Sequence, residues 1–474
     1  MLENNDLRIM KMNKTRTNRL FVIAAGLCAC LVASASAETT QPNQEAQAQG
    51  NARIQPWQDA KFGMFIHWGI YNIPAGVWEG KDNEGNHIES NAGAYAAHLQ
   101  LRRKIPNAEY AKLADQFNPV KFDADAWVKL AKEAGMRHIV ITAKHQDGFS
   151  MFDSEVSKFN IVDATPFGRD PMKELAAASR KQGLGFGFYY SQARDHHHPL
   201  ANWNSYSNTW DFPKRSKEDF IQYLNEKAKP QIKELLTGYG DLKVMWFDVP
   251  YKIPTEECHE IARMIRKLQP DCVFNSRLGG DIWDYRTLGD NEVSDKLLDE
   301  PWETCMTMND AWAYHQLDHN WKSTETLIRH LVDIVSKGGH LLLNIGPKAD
   351  GTVPEPSVTR LKEMGAWIKI NGEAIYGTQA SPCGMPAWGR ITAKANGDNT
   401  TLYLHVFDWA KDGKIPVPVS NKILSCSLLA DPSRSLQTQS FAQGLQVSLS
   451  GDAPDAICSV IKLVIEGKPK LIHE

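Results

Sequence analysis

The chain has 474 residues, a formal net charge of −3, and ordinary shares of charged (23%) and hydrophobic (42%) residues. The length allows two or three domains, the composition is that of a globular protein, and the nearly balanced charge argues against nucleic acid as a partner. The 14 tryptophans fit either core packing or a carbohydrate site in which indole faces stack on sugar rings.

The N-terminus has the order of features found in an export signal. A basic stretch precedes the apolar run 20–32, which is too short to span a bilayer, and Ala35-Ser36-Ala37 follows. We therefore expect residues 1–37 to be a signal peptide, with a mature chain that begins near Glu38 in the periplasm or outside the cell. An imperfect lipobox leaves a lipid anchor at Cys30 as the alternative. No other apolar run is long enough to predict a transmembrane helix.

Strand-like and helix-like segments alternate from residue 53 to residue 376, after a Gln-rich segment, 38–52, that is predicted to be a flexible lead-in. The predicted helices cover 125–134, 171–183, 215–236, 255–268 and 323–337, and the predicted strands cover 138–142, 184–190, 242–247, 272–276 and 340–345. This alternation is typical of βα units with a parallel sheet, and six or more units predict a (β/α)₈-like barrel. An open doubly wound sheet is the alternative, but its glycine-rich nucleotide-binding turn is missing from the sequence.

The pattern changes after residue 376. Residues 377–389 are rich in Gly, Pro and Ser and are predicted to be a linker. Segments with period-two alternation follow at 401–407, 445–449 and 457–465, separated by turn residues. Residues 390–474 are therefore predicted to form an antiparallel β-sandwich.

Two carboxylates stand where predicted strands end. Asp248 follows Val-Met-Trp-Phe, and Glu303 lies in Pro-Trp-Glu-Thr-Cys. Because the active site of a (β/α)₈ barrel lies at the carboxyl ends of its strands, both side chains are expected to face it. A glycosidase needs two such groups, one to attack or activate water and one to protonate the leaving oxygen. Glu292 and Glu300 are the competitors for the acid role.

Histidines mark two further strand ends. A lone histidine in an apolar strand is more often a core residue, but His67 and His145 at two strand ends favour binding of sugar hydroxyls. The run His196-His197-His198 does not predict a metal site, because adjacent side chains point in different directions. The sequence therefore predicts no metal and no other cofactor.

Five segments resemble, in the same order, motifs of the α-L-fucosidases of glycoside hydrolase family 29. They are Phe62–Gly69, Lys144–Phe149, Trp246–Asp248, Trp302–Cys305 and Asn344–Pro347. The resemblance covers roughly residues 52 to 380, and it implies a retaining exo-hydrolase that releases terminal α-L-fucose from glycans without a metal. By motif match, Asp248 resembles the nucleophile of that family and Glu303 resembles its acid/base. The residues that resemble the family's sugar-binding groups are His67, His145, Tyr189 and Arg277, with Tyr190 hard to distinguish from Tyr189.

The chain departs from the family pattern at two expected sugar contacts. Gln146 stands where the family usually has a second histidine, and Ala97-His98 stands where it often has Glu-Trp. We expect Gln146 to bind substrate in place of the histidine. Either the departures change the preferred sugar, for example to an L-galactose- or L-glucose-type glycoside, or residues elsewhere fill the gap and ordinary fucosidase activity survives. A non-catalytic carbohydrate-binding protein on a degenerate barrel is the alternative from another class.

Overall fold

The computed structural model describes residues 41–82, 95–203, 207–409 and 413–472. The predicted signal peptide and its cleavage site lie outside this part of the chain. The described helices are α1 (Gln41–Ala60), α2 (Leu99–Arg103), α3 (Asn107–Tyr110), α4 (Ala124–Glu133), α5 (Pro171–Gln182), α6 (Lys217–Tyr223), α7 (Lys229–Gly238), α8 (Thr255–Leu268), α9 (Thr324–Ser336) and α10 (Glu355–Asn371). None of the described helices is both long enough and apolar enough to cross a membrane.

Eight described strands form one parallel sheet that curls on itself. They are β1 (Phe62–Ile66), β2 (His138–Lys144), β3 (Gly185–Ser191), β4 (Val244–Asp248), β5 (Val273–Phe274), β6 (Arg286–Thr287), β7 (Trp302–Thr307) and β8 (His340–Ile345). Their order is β5-β4-β3-β2-β1-β8-β7-β6. A parallel bridge between Asn275 and Tyr285 links the two edges of the sheet. The predicted (β/α)₈-like barrel is therefore confirmed.

The alternation of side chains along each strand divides the apolar residues of the barrel into two layers. Phe65, Tyr189, Trp246 and Cys305 belong to a buried cluster inside the barrel. Their strand neighbours, such as Phe247, belong to the larger core between the sheet and the surrounding helices. A side chain's position along its strand therefore decides whether it reaches the pocket at the carboxyl ends or lies deep in the interior.

Helix boundaries follow local capping chemistry. The Asp170 side chain accepts a hydrogen bond from the Lys173 N–H, and Pro171 occupies the first turn of α5, where a missing N–H costs nothing. Gly183 ends this helix with a φ of 72°, a left-handed conformation that glycine adopts without steric cost. These are the start and stop that the sequence predicts.

Three elements differ from the sequence expectation. Residues 41–52, expected as a flexible lead-in, form part of α1, because the Ala and Gln residues of this segment are good helix formers. The predicted helix 215–236 is divided into α6 and α7 by a π-turn, Leu224–Ala228. Pro230 lies in the first turn of α7 and cannot donate the regular helical hydrogen bond, which accounts for the change of register there.

The third difference is that β5 has two residues instead of the predicted five. Asn275 leaves the strand, but its side-chain oxygen accepts from the Phe247 N–H at 2.8 Å and its amide nitrogen donates to the Phe247 carbonyl at 3.0 Å. The side chain thus takes the place of the next backbone hydrogen bonds between β5 and β4.

Past the barrel, two antiparallel sheets share one apolar core. Their strands are β9 (Gly389–Asn396), β10 (Asn399–Val406), β11 (Lys414–Val417), β12 (Ile423–Leu428), β13 (Thr438–Phe441), β14 (Gly444–Ser448) and β15 (Ser459–Glu466). The first sheet has the order β9-β10-β15-β12 and the second has the order β11-β14-β13. The predicted sandwich is confirmed, and it contacts α10 of the barrel where the Trp367 indole donates to the Cys458 carbonyl at 3.0 Å.

Buried histidines make the stability of the fold dependent on pH. Burial lowers the pKa of ten of the described histidines below 6.5: His67, His98, His138, His145, His196, His197, His198, His330, His340 and His405. The unfolded chain therefore binds more protons than the folded chain as the pH falls from about 6.5 towards 4, and each histidine then lowers the free energy of unfolding by up to ~1.4 kcal/mol per pH unit. Burial raises the pKa of Asp147 to about 7 and that of Glu303 to about 8, and these two groups act in the opposite direction.

Because the histidines outnumber the two carboxyl groups, we expect a lower urea midpoint at pH 5 than at pH 7. A His405→Gln variant, changed in the sandwich and outside the pocket, should show a smaller drop. Equal midpoints at the two pH values would contradict this expectation.

Candidate active site

A small pocket lies at the carboxyl ends of the barrel strands. Its volume is about 160 Å³, well below the roughly 300–1,000 Å³ of sites for drug-sized ligands, which makes it a site for a single small ring. The residues that line it are Phe65, His67, Tyr95, Ala97, His98, His145, Gln146, Tyr189, Arg194, Trp246, Asp248, Val249, Arg277, Asp290 and Trp312. Six of the seven predicted site residues are in this set, and Glu303 is missing from it.

Asp248 is the last residue of β4 and is held by two donors. The Tyr189 hydroxyl donates to Asp248 Oδ2 at 2.8 Å, and the Arg277 guanidinium donates to Oδ1 at 3.1 Å. Burial raises the pKa of Tyr189 well above 10, so this hydroxyl keeps its proton and remains a donor. Val249 follows with a φ of 56°, which is strained for a β-branched residue and turns the chain sharply after the carboxylate.

Asp290 is the second carboxylate of the pocket, and sequence reasoning missed it. It lies on the loop after β6, where Arg277 donates to its Oδ1 at 2.8 Å and the Tyr95 hydroxyl donates to its Oδ2 at 3.4 Å. Its side chain is 33% exposed. One guanidinium group therefore binds both Asp248 and Asp290, and the two carboxylates share one pocket.

Arg277 also fixes the loop that carries Asp290. Its guanidinium donates to the Leu288 carbonyl at 2.8 Å. Asn291, just after the carboxylate, has a φ of 60°, a left-handed conformation that Asn tolerates better than most residues. The Asn291 side-chain oxygen accepts from the Thr307 N–H at 2.9 Å, which ties the loop to the carboxyl end of β7.

Glu303 does not lie where the sequence interpretation expected it. It is the second residue of β7, which begins at Trp302 and ends at Thr307, so it lies near the amino end of the strand. The register places it beside His340, the first residue of β8. Its carboxyl group is fully buried below the pocket, where it accepts from the Trp246 indole N–H at 2.7 Å. This position does not support the acid/base role that the motif match implied.

The two competing glutamates also lie outside the pocket lining. Glu292 accepts from the Gly289 N–H at 2.7 Å. Glu300 forms an ion pair with Arg286 at 2.6 Å on the surface.

His67 has a defined tautomer. The Asn344 amide nitrogen donates to the Trp312 carbonyl at 2.6 Å, so the Asn344 amide oxygen faces His67 Nδ1 at 2.7 Å and accepts its proton. Burial lowers the pKa of His67 to about 4. The ring is therefore neutral, with an unprotonated Nε2 that can accept a hydrogen bond from a sugar hydroxyl.

His145 stacks on Tyr189, with ring centroids 5.3 Å apart and an interplanar angle of 10°. Burial holds its pKa well below 6.5, so it is also neutral. Tyr190 faces away from the pocket and donates to Gln231 at 2.8 Å. The structure therefore brings Tyr189, and not Tyr190, to the pocket.

Gln146 and His98, the two departures from the family pattern, lie side by side in the pocket wall. The Gln146 amide nitrogen lies 3.2 Å from His98 Nε2. The Arg194 guanidinium donates to the Gln146 amide oxygen at 3.2 Å. The three side chains form one hydrogen-bonded row in place of the histidine and the Glu-Trp pair.

Other pocket residues were not predicted because their sequence signal is that of a core residue. Phe65, Trp246 and Trp312 are apolar residues in apolar contexts, and Tyr95 stands at the edge of a segment without clear periodicity. The triplet 196–198 contributes structure instead: the His197 ring stacks on Phe159, with centroids 4.0 Å apart. Within the described ranges, no group of three or more His, Cys, Asp or Glu side chains is arranged to hold a metal ion.

Comparison with known proteins agrees with this geometry. The family model described as alpha-L-fucosidase matches residues 28–373. Human plasma alpha-L-fucosidase is 32% identical over 348 residues, which cover 69% of this chain and 70% of the human protein. The crystal structure of an alpha-L-fucosidase from Vibrio sp. strain EJY3 has a TM-score of 0.80 at 35% identity, covering 90% of this chain and 74% of that one.

A third relative bears on the reaction of the family. The structure of a GH29 alpha-L-fucosidase from Bacteroides thetaiotaomicron contains a trapped covalent intermediate with 2-fluoro-fucosyl fluoride. It is 29% identical, covers 87% of this chain and 96% of that one, and has a TM-score of 0.78. A covalent glycosyl-enzyme intermediate is the mark of a retaining double displacement. With the family model matched over most of the chain, this protein belongs to the α-L-fucosidases of glycoside hydrolase family 29.

Proposed function

We propose that this protein hydrolyses terminal α-L-fucosides with retention of configuration, with Asp248 as nucleophile and Asp290 as acid/base. The observation that carries the proposal is the pair of carboxylates held by Arg277 in a pocket of about 160 Å³. A retaining glycosidase needs two carboxyl groups about 5–5.5 Å apart, on either side of the scissile bond. A pocket of this size admits one terminal sugar, which fits an exo-acting enzyme.

In the first step, an oxygen of Asp248 attacks the anomeric carbon while the bond to the leaving oxygen breaks. Asp290 gives its proton to that oxygen, so the aglycone departs as a neutral alcohol and an aspartyl ester remains. Arg277 and Tyr189 orient the Asp248 carboxylate for this attack. In the second step Asp290 takes a proton from water, whose oxygen attacks the anomeric carbon and releases Asp248.

The lining supports fucose over L-galactose as the preferred sugar. Fucose carries a methyl group where L-galactose carries a hydroxymethyl group. The indoles of Trp246 and Trp312 and the Phe65 ring give the pocket an aromatic side, which suits a methyl group and offers few partners to an additional hydroxyl. A panel of aryl α-L-fucoside, α-L-galactoside and α-L-glucoside tests the proposal. Turnover of the fucoside supports it, whereas turnover of another glycoside alone, or binding without turnover, would overturn it.

The row formed by Gln146, His98 and Arg194 gives a specificity prediction. Because these side chains occupy the positions of the usual contacts, we expect ordinary activity on simple aryl α-L-fucosides. Gln146→Ala should lower kcat/KM roughly three- to tenfold, the effect of one hydrogen bond between neutral groups. Gln146→His, which introduces the residue usual in the family, is the matched variant and should lose less. A Gln146→Ala enzyme with unchanged kcat/KM would show that this amide does not contribute to catalysis.

We also propose that the protein is exported, on the evidence of the basic stretch, the apolar run and Ala35-Ser36-Ala37. Mass spectrometry of protein from the periplasm or medium should find an N-terminus near Glu38. Detection of a lipid on Cys30 would show that the exported protein is anchored to a membrane and not released. An intact Met1 form that stays in the cytoplasm would overturn export altogether.

A further inference from the structure

Glu303 lies in the barrel interior with one oxygen fully engaged. Its Oε1 accepts from the Trp246 indole N–H at 2.7 Å and from the Thr287 hydroxyl at 3.3 Å. Its Oε2 has no hydrogen-bond partner among the described residues, and the nearest ion-pair partner, His340 Nδ1, lies 3.6 Å away. A buried carboxyl group that makes its main contact with one indole fixes the orientation of that ring.

The Trp246 ring in turn supports the groups that bind the nucleophile. Tyr189 stacks on it, with centroids 5.5 Å apart and an interplanar angle of 18°. The Arg277 guanidinium carbon lies 5.0 Å from the ring centroid, in the position of a cation–π contact. Tyr189 and Arg277 are the two donors to Asp248. A contiguous row of contacts therefore connects Glu303 to the nucleophile.

We propose that Glu303 is a positioning residue for the reaction, which holds the Trp246 indole and, through that ring, the Tyr189 and Arg277 groups that orient Asp248. This inference rests on the proposed function, because it assigns an effect on the attack by Asp248. Glu303 does not touch the sugar and transfers no proton. Its contribution is the acceptor oxygen that it offers to the indole N–H.

The protonation state of Glu303 agrees with this role. Burial raises its pKa to about 8, and the hydrogen bonds from Trp246 and Thr287 and the charge of Arg277 only partly offset that effect. The other titratable groups that face it are Tyr285, Cys305 and the neutral His340. At neutral pH the group is an uncharged acid with one acceptor oxygen for the indole, so a glutamine can replace it.

The test compares Glu303→Gln with Glu303→Leu on an aryl α-L-fucoside. We expect the glutamine variant to keep kcat/KM within about fivefold, because its amide oxygen still accepts from the indole. The leucine variant leaves a buried N–H without a partner and should lose about ten- to a hundredfold. The loss should lie mainly in kcat, because the orientation of the nucleophile is disturbed while most sugar contacts remain. Tyr285→Phe is the matched control in the same interior, since the buried Tyr285 hydroxyl has no hydrogen-bond partner among the described residues and its removal leaves the contact between Glu303 and Trp246 in place.

A double-mutant cycle with Trp246→Phe separates the hydrogen bond from general damage to the fold. In the double variant, kcat/KM should fall little further than in the more impaired single variant, because neither the carboxyl group nor the indole N–H is then left without its partner. Additive losses would overturn the proposal. So would a folded Glu303→Leu enzyme with wild-type kcat, or a Glu303→Gln enzyme as impaired as the leucine variant.

An NMR readout keeps this inference separate from the proposed function. In protein labelled with ¹⁵N-tryptophan, the Trp246 indole signal is identified by its loss in Trp246→Phe. It should shift in Glu303→Leu and stay nearly in place in Glu303→Gln, whether or not fucosides are hydrolysed. An unmoved signal in Glu303→Leu would overturn the role of Glu303, whereas an Asp290→Asn enzyme that keeps wild-type kcat/KM on a fucosylated disaccharide would overturn only the assignment of the acid/base.

Discussion

Asp248→Asn should lower kcat/KM on an aryl α-L-fucoside by a factor on the order of 10⁴ or more, the scale seen when a nucleophile is removed. Asparagine keeps the size of the side chain, and its amide oxygen can still accept from one of the two donors, Tyr189 or Arg277. The loss of the second hydrogen bond is small beside the loss of the nucleophilic oxygen. Without that oxygen no glycosyl-enzyme forms, and turnover is lost even when the leaving group needs no proton.

Azide tests the assignment further. In Asp248→Ala, azide can occupy the space that the carboxylate has left and attack the anomeric carbon directly, which gives the inverted β-L-fucosyl azide. Asp281→Asn is the matched control, because Asp281 is an exposed carboxylate that pairs with His259 on the surface. A substantial residual rate in Asp248→Asn, or a comparable loss in the control, would contradict the assignment.

Asp290→Asn should behave differently with different leaving groups. On a fucosylated disaccharide, whose leaving alcohol needs a proton, kcat/KM should fall about 10²- to 10⁴-fold, the usual contribution of a general acid. On an aryl fucoside with an acidic phenol, the first step needs little help and the fall should be much smaller. The glycosyl-enzyme is then hydrolysed slowly, because no base activates the water. Azide needs no such base, so it should restore turnover and give the retained α-L-fucosyl azide.

The controls for this prediction are the glutamates that sequence reasoning favoured or kept open. Glu300→Gln changes a surface ion pair with Arg286 and should leave activity essentially unaltered. Glu303→Gln should show no difference between good and poor leaving groups. A dependence on the leaving group together with azide rescue at Glu303, and not at Asp290, would restore the motif-based assignment.

The position of Asp248, the proposed nucleophile, could be predicted from sequence because β4 has a clear signal. Asp248 ends a run of four apolar residues, so its place at the carboxyl end of the strand follows from the pattern. His67 and His145 likewise come directly after β1 and β2. For these strands, the point where hydrophobicity stops is also the point where the pocket begins.

Asp290, the proposed acid/base, could not be predicted by the same reasoning. Asp290 follows a strand of only two residues, and Gly289-Asp290-Asn291 has the composition of a turn. Glu303 was misplaced because Trp302 looks like the end of a strand when it is the beginning of one. A local pattern does not tell the two ends of a short parallel strand apart, and only the register with β8 places Glu303 near the amino end of its strand.

The most direct test of the central claim is to label the protein with 2-fluoro-fucosyl fluoride and map the modified peptide by mass spectrometry. The fluorine at C2 slows both steps, while the fluoride leaving group lets the first step proceed without a general acid, so the glycosyl-enzyme accumulates. Our account predicts one fluorofucosyl group per chain, attached to Asp248 and absent from Asp248→Asn. A label on Asp290, Glu303 or another residue, or turnover of fucosides by a protein that never becomes labelled, would contradict it.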